Sequence, residues 1–486
     1  MILSPDTFRG YVDAFNAADN EDVGNLVPNA ASFDWMTRNV PRFACPDEAI
    51  QRVYYYRWWT FRKHLKSTPA GTIVTEFILP VRHAGMYNSI SCALGHHLAE
   101  ARWLRDQTPI DEYLRFWFIA DAGRPEPRFH RYSSWLAHAA WQRACVTGNF
   151  GALVAMIDLL VNDYAVWGQE KQLPDGAYFQ FDVWDGMEES ISGGRKARNV
   201  RPTINSYMQA NAVALSKLAK LAGRPELVET FDRKADELTK IVHRLWDERA
   251  EFFKVQFEDG SLSDAHEAIG FIPWVFNIPQ RGLEGAWKQL IDPEGFWAPR
   301  GLTTAERRHP KFRSHGVGHC EWDGAAWPFA TSQTLDALAN VLRHYDQPHV
   351  TREHYLEAMR IYAACHTMNG RDYIGEYHDE VTGAWLKGDN PRSRYYNHST
   401  YADLVIAGLV GLVPREDESI EVDPLVPAGA WDWFCLDDVP YRGRSVSIVW
   451  DRTGDRFQRG AGLSIFVNDN RIGHRPDLGR LVALLT

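Results

Sequence analysis

The sequence predicts a mainly α-helical protein: an (α/α)6 toroid of six helical hairpins with a small C-terminal β region. Helical periodicity recurs in pairs of segments joined by short turns, and near residue 412 it gives way to short extended segments. The stretches between the helical pairs are long and rich in Trp, Gly, Pro and charged residues, which is typical of functional loops. We therefore expect a barrel domain over 1–412 and a small β-domain over 413–486.

The clearest hairpin begins at residue 207. Apolar residues recur at helical spacing over 207–222, Gly223 and Pro225 supply a stop and a new start, and a second apolar stripe follows over 226–246. Comparable pairs are 91–103 with 110–119, 134–145 with 150–167, and 331–344 with 352–368. About twelve such helices, at roughly 30 residues for each helix and loop, would close a ring and use most of the chain. The longest joining stretch, 277–326, is expected to shape the pocket.

The C-terminal part has a different pattern. Residues 419–423, 446–449 and 463–467 alternate or concentrate apolar side chains as strands do. No Gly/Ser-rich or Pro-rich linker precedes them, so the β-domain is expected to pack on the barrel and move with it.

Composition excludes several functions. The 486 residues are 45% hydrophobic with a net charge of −10, which argues against a nucleic-acid or anionic-membrane partner. The six cysteines show no metal-site or disulfide spacing, and no apolar run of about 18 residues or secretory leader is visible. A cytoplasmic location is the expectation, and the oligomeric state is not indicated.

Two acidic stretches suggest sugar chemistry. Residues 181–194 combine four carboxylates with Trp184 and three glycines, and residues 373–385 place further carboxylates among aromatic rings. Cleavage of a glycosidic bond requires a proton donor and an activated nucleophile, and two carboxyl groups in different environments supply both. The stretches therefore predict a two-carboxylate glycosidase.

The first stretch resembles a known family pattern. The segment Asp185–Ser190 is similar to the Gly-x-Asp-x-Ser loop of family 37 trehalases and family 63 glucosidases, which carries the general acid. The resemblance implies that Glu188 is the acid, although a Glu stands where the family has Asp. Asp185, just before the glycine, is the second candidate.

Two further motifs follow in the order of family 63 and the bacterial mannosylglycerate and glucosylglycerate hydrolases. The segment His319–Pro328 is similar to a sugar-binding loop in which Trp322, Gly324 and Trp327 match and Asp323 replaces a basic residue. The segment Gly375–Gly383 looks like the loop whose first Glu is the catalytic base, which implies Glu376. The resemblance covers about 180–410 and implies an inverting, exo-acting six-hairpin glycosidase, with Trp184, Trp322 and Trp327 stacking on a short oligosaccharide or small glycoside.

Other candidate sugar contacts come from composition alone. The run 54–64 is the densest aromatic and basic stretch, and its Arg57, Trp59 or Lys63 would reach a sugar unless the run is an inner barrel helix packed by its rings. Tyr87 and Asn88 are candidates in a loop, as is His398 beside Asn397.

No cofactor or catalytic metal is predicted. The histidines form no HExxH pattern, and phosphate-binding and GxSxG nucleophile motifs do not occur in the sequence. Two other enzyme classes use the same barrel: sugar epimerases with paired histidines, and polyuronide lyases with a Tyr or His base. A non-catalytic carbohydrate-binding protein is the third alternative.

Overall fold

The computed structural model describes residues 2–316 and 318–485, and α-helices are its main regular secondary structure. The α-helices are α1 (Asp6–Ala18), α2 (Asn29–Asn39), α3 (Glu48–Lys63), α4 (Leu94–Ala101), α5 (Thr108–Ile119), α6 (Leu136–Thr147), α7 (Phe150–Val154), α8 (Ile157–Lys171), α9 (Pro202–Leu221), α10 (Pro225–Arg244), α11 (Ile272–Val275), α12 (Lys288–Ile291), α13 (Pro328–His344), α14 (Arg352–Ala364) and α15 (Tyr401–Asp403). The last of them continues as a π-helix, Leu404–Val410.

The helices form the predicted toroid. The inner helices contact one another in the order α4, α6, α9, α11, α13 and α15 with its π-helix, and the last packs back on α4. The helices that follow the first five, namely α5, α8, α10, α12 and α14, lie outside them, and α3 covers the closing helix. The ring is therefore closed by elements from opposite ends of the barrel sequence.

Most helices lie where the periodicity predicts them, with two differences. The segment predicted as one helix over 150–167 is broken into α7 and α8. The fifth pair consists of the single-turn helices α11 and α12, and α12 lies inside the stretch expected to be a loop.

The inner helices all begin at the same end of the toroid. Arg201 precedes α9, Trp327 precedes α13 and His398 precedes the closing helix, and each lies beside the acidic motifs. This end therefore gathers the predicted site, together with the positive ends of the helix dipoles. Within the described residues no helix is both long and apolar enough to span a membrane.

The strands are mostly short hairpins in the barrel loops and longer strands near the C-terminus. They are β1 (Arg42–Ala44), β2 (Leu65–Thr68), β3 (Gly71–Val74), β4 (Phe179–Gln180), β5 (Asn199–Val200), β6 (Trp246–Asp247), β7 (Phe252–Phe253), β8 (Trp297–Ala298), β9 (Gly301–Leu302), β10 (Thr367–Met368), β11 (Arg371–Asp372), β12 (Leu412–Val413), β13 (Ser419–Val422), β14 (Trp433–Tyr441), β15 (Arg444–Asp451), β16 (Gly462–Val467), β17 (Asn470–Arg475) and β18 (Leu481–Leu484).

The C-terminal strands form a five-stranded sheet, β1-β14-β15-β16-β17, and a three-stranded sheet, β12-β13-β18. The segments predicted as strands correspond to β13, β15 and β16. One edge of the larger sheet comes from the other end of the chain, because Phe43 of β1 pairs antiparallel with Leu436 of β14. The Asp437 carboxylate also accepts the backbone N–H groups of Ile2 at 2.7 Å and Leu3 at 2.8 Å. The N-terminal segment is therefore structurally part of the β region.

Candidate active site

Glu188 lies in a loop whose conformation is fixed by a carboxylate and a glycine of the same loop. The Asp182 side chain accepts the backbone N–H of Val183 at 2.6 Å and that of Glu189 at 3.2 Å, which folds the loop back on itself. Gly186 has a φ of 73°, in the left-handed region that favours glycine. The loop holds Glu188 half-buried, and burial together with the nearby Glu376 charge raises the pKa of Glu188 to about 7.

Glu376 follows the β10–β11 hairpin and is buried. Gly375 before it leaves no room for a side chain, since an added Cβ would lie 2.9 Å from the Trp385 ring. The Ser393 hydroxyl donates to Glu376 at 3.3 Å, and an Arg392 guanidinium nitrogen lies 3.5 Å from its other oxygen. Burial raises the pKa of Glu376, while the Arg392 and Lys387 charges oppose that shift.

A third carboxylate, Glu76, completes the cluster. It is buried just after β3, where the Cys92 thiol donates to it at 3.2 Å. Burial raises its pKa to about 8, and the charges of Glu376 and Glu188 add to the shift. Since the charge of Glu376 raises the pKa of both Glu76 and Glu188, the three carboxylates belong to one site. Glu76 was not predicted from the sequence. The one feature that could have indicated it is that it is the single acidic residue in the otherwise mostly apolar stretch 73–78.

Aromatic rings form a column beside the carboxylates. Trp322 stacks on Trp327 with centroids 4.4 Å apart, and Trp327 stacks on Tyr377 at 4.5 Å. Gly324 lets its loop pack against the Phe312 ring, because an added Cβ would lie 2.6 Å from that ring. The motif around 322–327 and the one after Glu376 are thus brought together, as their resemblance implied.

His398 lies beneath this column. Its ring is 4.0 Å from that of Tyr396, and its Nδ1 is 3.9 Å from Glu76. Burial holds the pKa of His398 well below its usual value, so the ring is neutral. A neutral histidine here offers a hydrogen-bonding group without adding charge to the site.

The other candidate acid, Asp185, is engaged elsewhere. Its side chain is fully buried, lies 2.8 Å from the Arg201 guanidinium and accepts the Thr203 hydroxyl. Both partners belong to the start of α9, so Asp185 fastens the acidic loop to an inner helix. This contact favours Glu188 over Asp185 as the group that meets a substrate.

Three side chains of α3 that were expected to contact a sugar are bonded within the protein instead. Arg57 is wholly buried and pairs with Glu100 at 2.9 Å, Trp59 donates its indole N–H to Asn16 at 2.8 Å, and Lys63 pairs with Asp19 at 2.5 Å. These side chains already have partners in the core, because α1 and α2 cover α3 on its outer side. Arg57 also donates to the Asn397 side chain at 3.1 Å, which supports the segment next to His398.

Two loop candidates also have structural roles. The Asn88 side chain donates to the Phe77 carbonyl at 2.9 Å and accepts the Val81 N–H at 2.9 Å, so it braces its own loop. Tyr87 packs edge-on against Phe116 at 5.6 Å.

Two residues of the matched motifs are likewise held by neighbours. Asp323 is buried and accepts from the His315 ring at 2.8 Å. Trp184 is half-buried, with the Lys171 ammonium 4.2 Å from the centroid of its ring. Asp323 is therefore a support for its loop and not a free sugar ligand.

The cations of the site were not predicted from the sequence. Lys387 and Arg392 lie in a charged stretch that resembles an ordinary solvated loop, and only folding brings them to Glu376. Within the described residues, no group of His, Cys, Asp and Glu side chains could hold a metal ion.

Two family models match the sequence. The mannosylglycerate hydrolase MGH1-like glycoside hydrolase domain matches residues 86–399, and the glycosyl hydrolase family 65 C-terminal domain matches residues 414–474. The first model contains Glu188, Glu376 and the aromatic column, and the second falls within the β region.

Solved structures share the fold. A protein described as a sialidase is 48% identical over 99% of this chain with a TM-score of 0.98, and the match covers 45% of that protein. The chain thus spans less than half the length of that relative. The GH63 mannosylglycerate hydrolase from Thermus thermophilus in complex with glucose has a TM-score of 0.53 at 13% identity, over 73% of this chain and 98% of the hydrolase. A GH78 family rhamnosidase of Bacillus sp. GL1 has a TM-score of 0.60 at 13% identity, over 88% of this chain and 41% of the rhamnosidase.

Proposed function

The chain belongs to the MGH1-like glycoside hydrolases, and from that premise we propose that it is an inverting, exo-acting glycosidase for a short oligosaccharide or small glycoside. The observation that carries the proposal is the pair Glu188 and Glu376. Both are held in one aromatic-walled site, where burial, with a smaller contribution from the Glu376 charge, raises the pKa of Glu188 to about 7. A pair of carboxyls with different protonation states is what acid and base catalysis of glycoside cleavage requires.

In this mechanism Glu188 is the general acid. With a pKa of about 7, roughly half of the Glu188 carboxyls carry a proton at neutral pH, so a proton is available for the leaving glycosidic oxygen. The aglycone leaves as an alcohol while positive charge develops at the anomeric carbon.

Glu376 is the general base. Burial raises its pKa, the Arg392 and Lys387 charges counter that shift by favouring the ionised form, and the Ser393 hydroxyl orients one of its oxygens. It removes a proton from a water that attacks the anomeric carbon from the opposite face, and the sugar leaves with inverted configuration. Glu188 ends ionised and Glu376 ends protonated, so a proton transfer through solvent restores the starting state.

Glu76 remains protonated through most of the working range, since its pKa is raised to about 8. A neutral carboxyl can donate a hydrogen bond to a sugar hydroxyl and does not compete with Glu376 as a base. The column of Trp322, Trp327 and Tyr377 and the ring of Trp184 offer apolar faces for the sugar ring.

The other classes fit the geometry less well. The adjacent histidines His96 and His97 are both buried, and His97 is occupied by Tyr113 at 3.0 Å and the Asn397 carbonyl at 2.6 Å. The Arg57 and Asn88 side chains that a lyase would use are paired within the structure. Neither set forms a second reaction centre.

Proton NMR of the anomeric signals tests the proposal. The protein would be incubated with unmodified disaccharides and small glycosides, including mannosylglycerate, rhamnosides and a sialoside, and spectra followed from the first minutes. A released sugar whose first anomer is opposite to the cleaved bond supports inversion. First release with the same anomer would contradict the roles of Glu188 and Glu376, an unsaturated product would indicate a lyase, and an epimer without a new reducing end would indicate an epimerase.

A further inference from the structure

A second cavity lies inside the toroid, away from the carboxylate cluster. Its volume is about 360 Å³, within the usual size of small-ligand pockets, and the middle and C-terminal parts of the inner helices line it. Gln209 is the eighth residue of α9, and Asp336 is the ninth residue of α13. At about 1.5 Å per residue, these side chains start roughly 10 Å along the barrel from the helix ends at the catalytic site.

A layer of rings separates the two spaces. His96 packs on Phe329 at 4.5 Å and on Trp135 at 5.1 Å, and His398 of the catalytic site lies on the other side of Phe329 at 5.8 Å. Gly95 admits the Trp135 ring, because an added Cβ would lie 2.0 Å from it. Trp135 also lines the second cavity, so its ring is part of the partition.

The cations around the cavity are already paired. Arg102 bonds to Asp403 at 2.7 Å, and Lys217 bonds to Glu416. Arg343 donates to the Ala407 carbonyl at 2.7 Å and to the Asp423 carbonyl at 2.8 Å. These contacts leave little free positive charge for an anionic ligand.

Asp336 differs from these groups. Within residues 2–316 and 318–485, its carboxylate has no hydrogen-bond or ion-pair partner, although it lines the cavity. Gln142 also lines the cavity, and no part of the described structure bonds to its amide. Burial, with the Asp403 charge and against the charges of Arg102 and Arg343, raises the pKa of Asp336 to about 7, so the group can donate or accept a hydrogen bond near neutral pH.

We infer that this cavity is a second sugar-binding site, one that takes a neutral monosaccharide-sized ligand and carries out no chemistry. Asp336 and Gln142 provide unpaired polar groups for vicinal hydroxyls, while the Trp135 and Trp141 rings provide apolar walls. A neutral ligand can form hydrogen bonds with these polar groups. An anionic ligand would bring a charge that the cations, which are already paired, could not neutralise. The site is independent of hydrolysis at Glu188 and Glu376.

Methyl NMR of protein labelled at the alanine methyl groups locates binding directly. Ala139, Ala210 and Ala339 line the cavity, whereas Ala325 and Ala326 lie in the motif of the catalytic site. The probes are D-glucose, D-mannose, L-rhamnose and, as an amine, Tris. At least one sugar should shift the cavity methyls along a saturable curve, whether or not it also shifts the catalytic-site methyls.

Matched variants separate ligand contact from loss of folding. At pH 8, where most of the Asp336 carboxyls are ionised, Asp336→Asn should weaken the cavity titration at least about tenfold, because hydrogen bonds to a charged group are among the stronger ones. Asp236→Asn, on the exposed face of α10, should leave it unchanged. Val213→Trp fills the cavity from α9 and should abolish the shifts, whereas Leu221→Trp, on the exposed end of the same helix, should not.

The catalytic-site methyls keep the two hypotheses distinct, since they report on the hydrolytic site alone. The inference would be overturned if no sugar shifted the methyl signals of the cavity alanines. It would also be overturned if Val213→Trp and Leu221→Trp gave the same titration curves. A shift with Tris but with no sugar would overturn the assignment to a neutral sugar and make Asp336 an amine ligand.

Discussion

Replacing Glu188 with Gln tests the proposed acid most directly. At pH 6.5 a carboxyl with a pKa of about 7 is roughly three-quarters protonated, while one at the ordinary 4.5 would be only about 1% protonated. Burial and the Glu376 charge therefore supply roughly 75 times more of the proton-donating form. The wild-type kcat should fall as pH rises through about 7, because the acid then loses its proton.

Glu188→Gln cannot donate that proton. We expect kcat on an unactivated glycoside to fall by about a hundred- to ten-thousand-fold, and the alkaline decline near pH 7 to disappear. An aryl glycoside with an acidic phenol should lose much less, since its leaving group needs no proton. The assay is a pH series of initial rates with both substrates.

Glu189→Gln is the matched control for this loop. Glu189 is the next residue and pairs with the His319 ring at 3.1 Å, so its loss should change kcat by about threefold or less and keep the alkaline limb. Unactivated turnover within tenfold of wild type in Glu188→Gln, or an alkaline limb that persists there, would refute the assignment.

Three further variants test the rest of the cluster. Glu376→Gln should lower kcat by about three orders of magnitude or more at an unchanged melting temperature, measured by single-turnover kinetics and calorimetry, and near-wild-type turnover would exclude it as the base. Asp185→Asn should instead lower the free energy of unfolding by about 3–5 kcal/mol in urea titrations, because Arg201 is left buried without its partner; a loss of rate at full stability would make Asp185 the acid. The folded-state pKa of Glu76, about 8, exceeds the unfolded value near 4.5, so the contribution of Glu76 to the free energy of unfolding falls as pH rises across that window. Glu76→Gln should therefore gain about 2–4 kcal/mol relative to wild type between pH 5 and pH 8.5 in urea titrations, and a constant difference would show that Glu76 is ionised in the folded state.

Strong local periodicity made most of the barrel predictable. The α9–α10 hairpin has a long apolar stripe on each helix and a Gly and a Pro at the turn, so its boundaries lie within a few residues of those expected. The helices α11 and α12 occupy a single turn each, which is too short for a repeat to be visible. Strand β1 was missed for a related reason, since a three-residue strand has no pattern of its own and is fixed by β14.

The site was predictable where a motif carries it and not where tertiary contacts decide. Glu188 and Glu376 were predicted because glycines and aromatic residues accompany them, and the structure brings the two carboxylates together. Arg57 was misjudged because an arginine among aromatic rings gives no sign that Glu100, 43 positions away, will bury and neutralise it. Glu76 offers no motif, and its importance comes from the two carboxylates that folding places beside it.

The pairing of the N-terminal segment with the β region has a consequence for biosynthesis. The hydrogen bond from the Leu3 N–H to Asp437 spans 434 positions. The first residues therefore cannot make this contact until nearly the whole chain has been synthesised. Contacts of such separation close late, because loop entropy is lost before they form. Until β14 leaves the ribosome, the edge of β1 stays unpaired, and an unpaired strand edge is a template for aggregation. The yield of folded protein should thus depend on chaperones and on the rate of translation.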